Sequence, residues 1–244
     1  MDNALMLGLQ TQRVLQRQMD ITANNLANVS TSGFKADDLV TSEADHTGAH
    51  ADADPRDIRF VRDIGVMRDM RQGPIAMTGN PLDVAIQGDG FFEVEGPNGT
   101  LYTRDGAFSI SADGHLVTSD GHNVLSSGGA AIVFDTSQSE SPVITRDGAI
   151  TVAGTEVARL GVVNFANPQA MQKVGENLSS SGGQTPTDFE GVLEQGALEG
   201  SNVNPVLEIT RLVQISRAYE SAARIVSGAD DLRQRALQRL GQVQ

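Results

Sequence analysis

Ala23-Asn24-Asn25-Leu26-Ala27-Asn28-Val29-Ser30-Thr31-Ser32-Gly33-Phe34-Lys35 is the stretch on which the reading of this chain turns. Before it, from Ala4 to Asn28, apolar residues recur at helical spacing. The helix pattern then stops on three asparagines, a residue poorly suited to helix interiors. Asn24, Asn25 and Asn28 either cap the helix or hydrogen-bond across a surface from which water is excluded. Gly33 permits a sharp turn, and Phe34 can anchor the chain just beyond it.

The helix before this stop is apolar on more than one side. At 100° per residue, Leu5, Leu9, Leu15, Met19, Ala23 and Leu26 share a broad face. Leu7, Val14 and Ile21 recur at spacing seven on a narrower one. A surface helix needs a single apolar stripe. Two stripes fit either neighbours on two sides or a helix buried deep in its own domain.

A second helix pattern closes the chain. Asn204 suits the N-cap and Pro205 the first helical position. Leu212, Ile215, Tyr219, Ala222, Val226 and Ala229 then alternate at three and four, and Arg233 interrupts the seam. Residues 205–240 as one helix span about 54 Å at 1.5 Å per residue, more than a small domain is wide. Much of that length needs a partner.

Between the helices the chain reads as strands and turns. Asp-Gly pairs stand at 89–90, 105–106, 113–114, 120–121 and 147–148, and Asn-Gly at 98–99. Short apolar runs separate them: Leu82–Ile86, Phe91–Val94, Leu101–Thr103, Phe108–Ile110, His115–Val117, Ala131–Phe134, Val143–Ile144, Ile150–Val152 and Val157–Phe165. Such punctuation predicts an antiparallel β domain. Residues 36–60 are polar and acidic and predict a loop or linker, with 60–72 an extended arm. Ser179–Thr187 predicts a flexible return loop. The expected fold class is α+β: paired, coiled-coil-like terminal helices with a central antiparallel β-rich domain inserted between them. The expected divisions are an N-terminal helix (1–35), a linker or arm (36–72), a β-rich domain (73–190), a return segment (191–204) and a C-terminal helix (205–244).

Charge separates the same regions. The chain of 244 residues carries a net charge of −13. Residues 1–35 balance to +1 and residues 203–244 to +2, leaving −16 in the middle. An acidic middle repels nucleic acid and anionic lipid, which argues against both as partners. Near-neutral helices can pack closely against copies of themselves. The chain has no Cys, so disulfides and thiolate metal sites are excluded. No run reaches the length of a membrane span, so no direct insertion is expected. Met1 to Leu9 lacks the basic-then-apolar order of a secretory signal, so export is expected without signal cleavage.

Catalytic chemistry finds little to use. There is no glycine-rich loop followed by Lys and no G-x-S-x-G, and the four His suggest no triad. His46 and His50 would share a helix face, with Asp45, Asp52, Asp54 and Asp57 nearby, but this Ala/Asp-rich stretch reads better as solvated linker. The Asp-Gly pairs lack calcium-loop spacing and are explained as turns. No catalytic residue, metal or cofactor is expected.

Four segments resemble the bacterial flagellar rod and hook proteins. They are the asparagine-rich stop through Lys35; Gly73-Pro74-Ile75 with Thr78–Phe92; Tyr102–Phe108 with Gly114, Leu116, Val117 and Gly121; and Gly196–Val206 with Arg217-Ala218-Tyr219-Glu220. The start Met1–Leu5, the length and the insert look most like the proximal-rod members, with the distal-rod members as the alternative. The Asp/His-rich stretch 41–54 matches no motif of the family. The resemblance implies a non-catalytic subunit whose terminal helices form the inner layer of a tube in the periplasm. It also implies export through the flagellar type III apparatus, and copies of itself and other rod proteins, proximal and distal, as partners. The residues expected to carry assembly are Leu7, Val14, Met19, Ile21, Asn24, Asn25, Leu26, Asn28, Gly33, Phe34, Leu212, Ile215, Tyr219, Ala222, Val226 and Ala229. The reading from a different class is a β-domain that binds a ligand and is displayed on a helical stalk.

Overall fold

The structure, a computed structural model, describes residues 2–46, 58–135, 140–175 and 177–241. Helix α1 (Asp2–Ala27) opens the chain. Two long strands follow, β1 (Asp37–His46) and β2 (Ile58–Arg68). The strands β3 (Ile75–Met77), β4 (Val84–Gln87), β5 (Phe91–Gly96), β6 (Gly99–Thr103), β7 (Phe108–Ile110) and β8 (Leu116–Thr118) come next. They lead to β9 (Val143–Ile144), β10 (Ala149–Val152), β11 (Thr155–Arg159) and β12 (Val162–Asn164). The short strands β13 (Gln172–Lys173), β14 (Ser179–Ser180), β15 (Thr187–Asp188), β16 (Val192–Gln195) and β17 (Ala197–Glu199) precede α2 (Pro205–Gly241). The α+β class is as expected.

The elements fall into two compact units that do not follow the linear order. The first holds residues 1–27, 37–68 and 204–244; the second holds 28–36 and 69–203. The segment just after α1 therefore clusters with the β-rich unit, while the pair β1–β2 clusters with the helices.

In the helical unit, Asn204 caps α2 as its sequence position suggests. Its Oδ1 accepts the backbone N–H groups of Val206 at 3.1 Å and Leu207 at 3.2 Å. The main difference from expectation is β1. Polar composition predicts a loop over 36–60, yet Asp37–His46 pairs antiparallel with Ile58–Arg68 along its whole length. Two features of the register account for this. β2 carries Ile58, Phe60, Val61, Ile64 and Val66, residue types that favour strands. The register also sets Asp37 opposite Arg68, whose Nε donates to Asp37 Oδ1 at 3.1 Å. His46 thus ends a strand, not a helical His46/His50 face; His50 lies outside the described residues. Among the described residues, no helix is long and apolar enough to cross a membrane.

In the β-rich unit every described strand pair is antiparallel. The largest sheet runs β13-β14-β6-β5-β12-β15, and a second runs β11-β10-β9. Its core gathers Val84, Ile86, Phe92, Val94, Leu116, Val124, Ile132, Ile150 and Leu193, with Phe108 edge-on to Phe92 at 5.1 Å. A smaller cluster joins Phe91, Tyr102, Phe165 and Met171. Three expectations need correction. Residues 131–134 form isolated bridges instead of a strand. The run 157–165 splits into β11 and β12, because Leu160 N–H bonds to Gly148 and Gly161 N–H to Leu125 as the chain changes sheets. The segment 179–187, expected as a flexible loop, begins with β14 and ends at β15. The return residues 192–199 are strands too: β16 pairs with β4 and β17 with β3.

Candidate assembly interface

Within the helical unit, α1 and α2 lie against each other and run antiparallel. Near one end, a Cβ built on Gly8 would run into Val226 Cγ2 and lie 3.8 Å from Val226 Cβ. Near the other, Asn25 Nδ2 lies 3.3 Å from Glu208 Oε2. These contacts are about 26 Å apart along either helix at 1.5 Å per residue. Gly8 therefore sets a close approach that a side chain would open.

The seam expected on α2 faces inward. Ile215 and Ala222 are buried, and Leu212, Tyr219 and Val226 are half-buried. Ala229 lies on α2, but its side chain is outside the described set. On α1, Val14, Met19, Ile21 and Leu26 are half-buried and Leu7 is exposed. The inward face of α1 also holds two polar residues, Thr22 at 3% exposure and Asn25 at 1%.

Other apolar side chains of the helices stay largely uncovered within the described chain. On α2, Val206, Ile209 and Val213 are 69%, 50% and 45% exposed. They fall on one stripe roughly 130° round the helix from the seam. Leu207 and Ile225 are exposed on another side, and on α1 Met6, Leu7 and Leu9 are exposed. Burying what remains exposed on each such side chain is worth about 1 kcal/mol or somewhat more. This stripe was not expected from the sequence, because its three-four spacing lasts barely two turns.

The asparagines separate by role. Asn25 Nδ2 donates to the Asp37 carbonyl at 2.9 Å, and the Asp37 N–H donates back to Asn25 Oδ1 at 3.0 Å. Asn28 belongs to the β-rich unit, where its Oδ1 accepts the Thr31 hydroxyl at 3.2 Å. Asn24 is on the exposed side of α1.

Gly33, Phe34 and Lys35 are buried within the β-rich unit. Gly33 has φ +67°, and a Cβ there would stand 2.5 Å from the Arg104 carbonyl carbon. Both conformation and space exclude a side chain. Phe34 is 2% exposed, with the Lys173 ammonium 5.5 Å from its ring. Lys35 Nζ donates to Glu199 Oε1 at 2.6 Å and to the Arg71 carbonyl at 2.8 Å. Arg104 Nη1 reaches Glu199 Oε2 at 3.2 Å, and Gly73 N–H donates to Oε1 at 2.9 Å. Burial lowers the pKa of Lys35, and the Glu199 carboxylate draws it back up. Burial likewise lowers that of Arg104, again against Glu199. Nearby, burial raises the pKa of Asp105 while the Ser32 hydroxyl, 2.5 Å away, opposes the shift. Asn202 ties the same region together: its Oδ1 accepts Ala36 N–H and its Nδ2 donates to the Asp69 carbonyl, both at 2.8 Å.

Comparison with known proteins follows the same segments. Residues 5–35 match the family described as flagella basal body rod protein. Residues 85–152 match the flagellar hook protein FlgE/F/G D1 domain, and 194–239 the flagellar basal body rod FlgEFG protein C-terminal family. The chain is 41% identical to the flagellar basal-body rod protein FlgF of Caulobacter vibrioides over 100% of both chains. It is 35% identical to FlgF of Mesorhizobium japonicum over 99% of both. It is 34% identical to the flagellar basal-body rod protein FlgG of Agrobacterium fabrum over 89% of this chain and 91% of that one.

Proposed function

On the premise that this chain belongs to the flagellar basal-body rod protein family, of which it is a structural and not a catalytic member, we propose that it builds the proximal part of the rod through its terminal helices. Its place is the flagellar basal body, and other flagellar rod proteins are its partners. Proximal over distal placement is supported by end-to-end similarity to the FlgF relatives.

The observation that carries the assembly reading is the exposed stripe Val206, Ile209, Val213 on a helix already seamed to α1. The helix pair is the inner, coiled-coil-like layer, and the β-rich unit with its acidic surface faces outward. Neighbouring copies cover the stripe and the exposed Leu7 of α1. Seam residues Leu212, Ile215, Tyr219, Ala222 and Val226 hold the pair together with Val14, Met19, Ile21 and Leu26. Asn24 meets a neighbour from the open side of α1. Asn25 fastens α1 to β1 and α2, and Asn28, Gly33 and Phe34 fix the segment after α1 within the β-rich unit. Export runs through the flagellar type III apparatus without signal cleavage, and assembly takes place in the periplasm. Many such subunits, each burying apolar area at about 25 cal/mol per Å², give a shaft stiff enough to carry torque from motor to hook.

Isolated subunits lack the neighbours that cover the outer apolar faces of α1 and α2, and helix stability in proteins comes mostly from such packing. Mild protease on a verified monomer is therefore expected to remove residues 1–27 and 204–244 first. Residues 28–36 should survive, because Gly33, Phe34 and Lys35 are fastened inside the β-rich unit. Termini as resistant as the β-rich core would argue against assembly through the helices and favour a stalk that is complete by itself.

A further inference from the structure

We infer that Asn25 fixes the register of α1 against α2, selecting one helix pairing instead of merely strengthening it. This rests on the reading above only in that the helix pair is the assembly element; the geometry belongs to the single chain. One buried amide joins three elements. It exchanges two hydrogen bonds with the backbone of Asp37 at the start of β1 and reaches Glu208 in the first turn of α2.

Its partners are themselves held. Asp37 Oδ1 accepts Arg68 Nε at 3.1 Å across the β1–β2 pair. Glu208 Oε1 accepts Arg211 Nη1 at 3.2 Å, and Glu208 N–H donates to the Asn204 carbonyl at 3.0 Å. Asn is a poor residue at a helix interior, and an apolar residue would bury there more cheaply. What the amide adds is a penalty for other pairings. Slipping α2 by one turn in one direction sets Leu212 opposite Asn25, which offers it no hydrogen bond. Slipping it the other way sets Asn204 there, whose Oδ1 is already engaged with Val206 and Leu207 N–H. Either slip keeps the two bonds to Asp37 but leaves the N–H that reaches Glu208 without an acceptor, and one buried donor left unsatisfied disfavours the slip by about tenfold. A single buried polar residue is a known device for fixing helix register.

The chain has no Cys, so engineered disulfides report register against no background. Gly8→Cys with Val226→Cys reads the native register, since the Cβ separation of 3.8 Å suits a disulfide. Gly8→Cys with Ala222→Cys, and with Asp230→Cys, read the two slips. Full-length chains are oxidised in purified basal bodies and the intramolecular bond is scored on non-reducing gels. With Asn25 present, the native pair should form at least tenfold more disulfide than either slipped pair. With Asn25→Leu, the slipped pairs should rise to within a few-fold of the native one while the chain still incorporates. The inference is overturned if Asn25→Leu and Asn25→Ala both keep the native preference. It is equally overturned if both lose every disulfide, since Asn25 would then only hold the helices together. If the Asn25-containing chain is absent from basal bodies, the assembly reading is what fails, and the same three disulfides read on the purified full chain still decide the register.

Discussion

Replacing Glu199 with Ala is expected to destabilise the β-rich unit by about 3–5 kcal/mol, because it removes the buried carboxylate that both buried cations bond to. The side chains of Lys35 and Arg104 are 5% and 4% exposed, and that of Glu199 is fully buried. Burial already lowers the pKa of both cations, so the carboxylate is what makes their charge tolerable. In a unit of this size the loss corresponds to a fall in Tm of about 10 °C or more. Calorimetry of the full chain measures it. A second variant separates charge from packing. Lys35→Met added to Glu199→Ala should recover a substantial part of the loss, since one stranded charge is removed. A Tm unchanged by Glu199→Ala would mean the cluster contributes nothing, and segment 28–36 would then be held by Phe34 and the segment's hydrogen bonds to Asn202 and Asp105.

The second large effect is on assembly, with folding spared. Ile209→Asp with Val213→Asp places two carboxylates on the exposed stripe of α2. Exposed substitutions of this kind usually shift stability by no more than about 0.5 kcal/mol. If neighbours bury the stripe, each carboxylate must be desolvated without a partner, which costs several kcal/mol. The double variant should therefore melt like the unaltered chain, yet give cells that swim no better than cells lacking it. Ile209→Ala with Val213→Ala should fall between. Normal swimming by the aspartate variant, with the chain present in basal bodies, would remove the stripe from the interface.

Both effects depend on residues that the sequence makes visible to different degrees. The helices, the N-cap at Asn204 and the Asp-Gly turns were legible because each follows a local rule of spacing or conformation. The buried charge cluster was half legible. Lys35, Arg104 and Glu199 stand in three separate segments shared with the rod family, and each supplies one charge to the same site. Nothing local says that they meet. The β1–β2 pair was hidden by composition: acidic residues 37–46 read as linker until set against the bases and β-branched residues of 58–68. Strand pairing is a relation between two segments, and a scan of one segment misses it. Asn25 and Asn28 are three apart and look alike in sequence, but they belong to different units. The same limit applies to Gly33 and Phe34, since a sequence marks burial without saying whether its own chain or a neighbour provides the cover.

The most direct test of assembly through the terminal helices is a density map of the purified basal body at side-chain resolution. The predicted result is a layer of this chain in which α1 and α2 form the inner wall, with Val206, Ile209 and Val213 covered by adjacent subunits and the β-rich unit outside. A layer held together by β-rich units, with that stripe open to solvent, would contradict it.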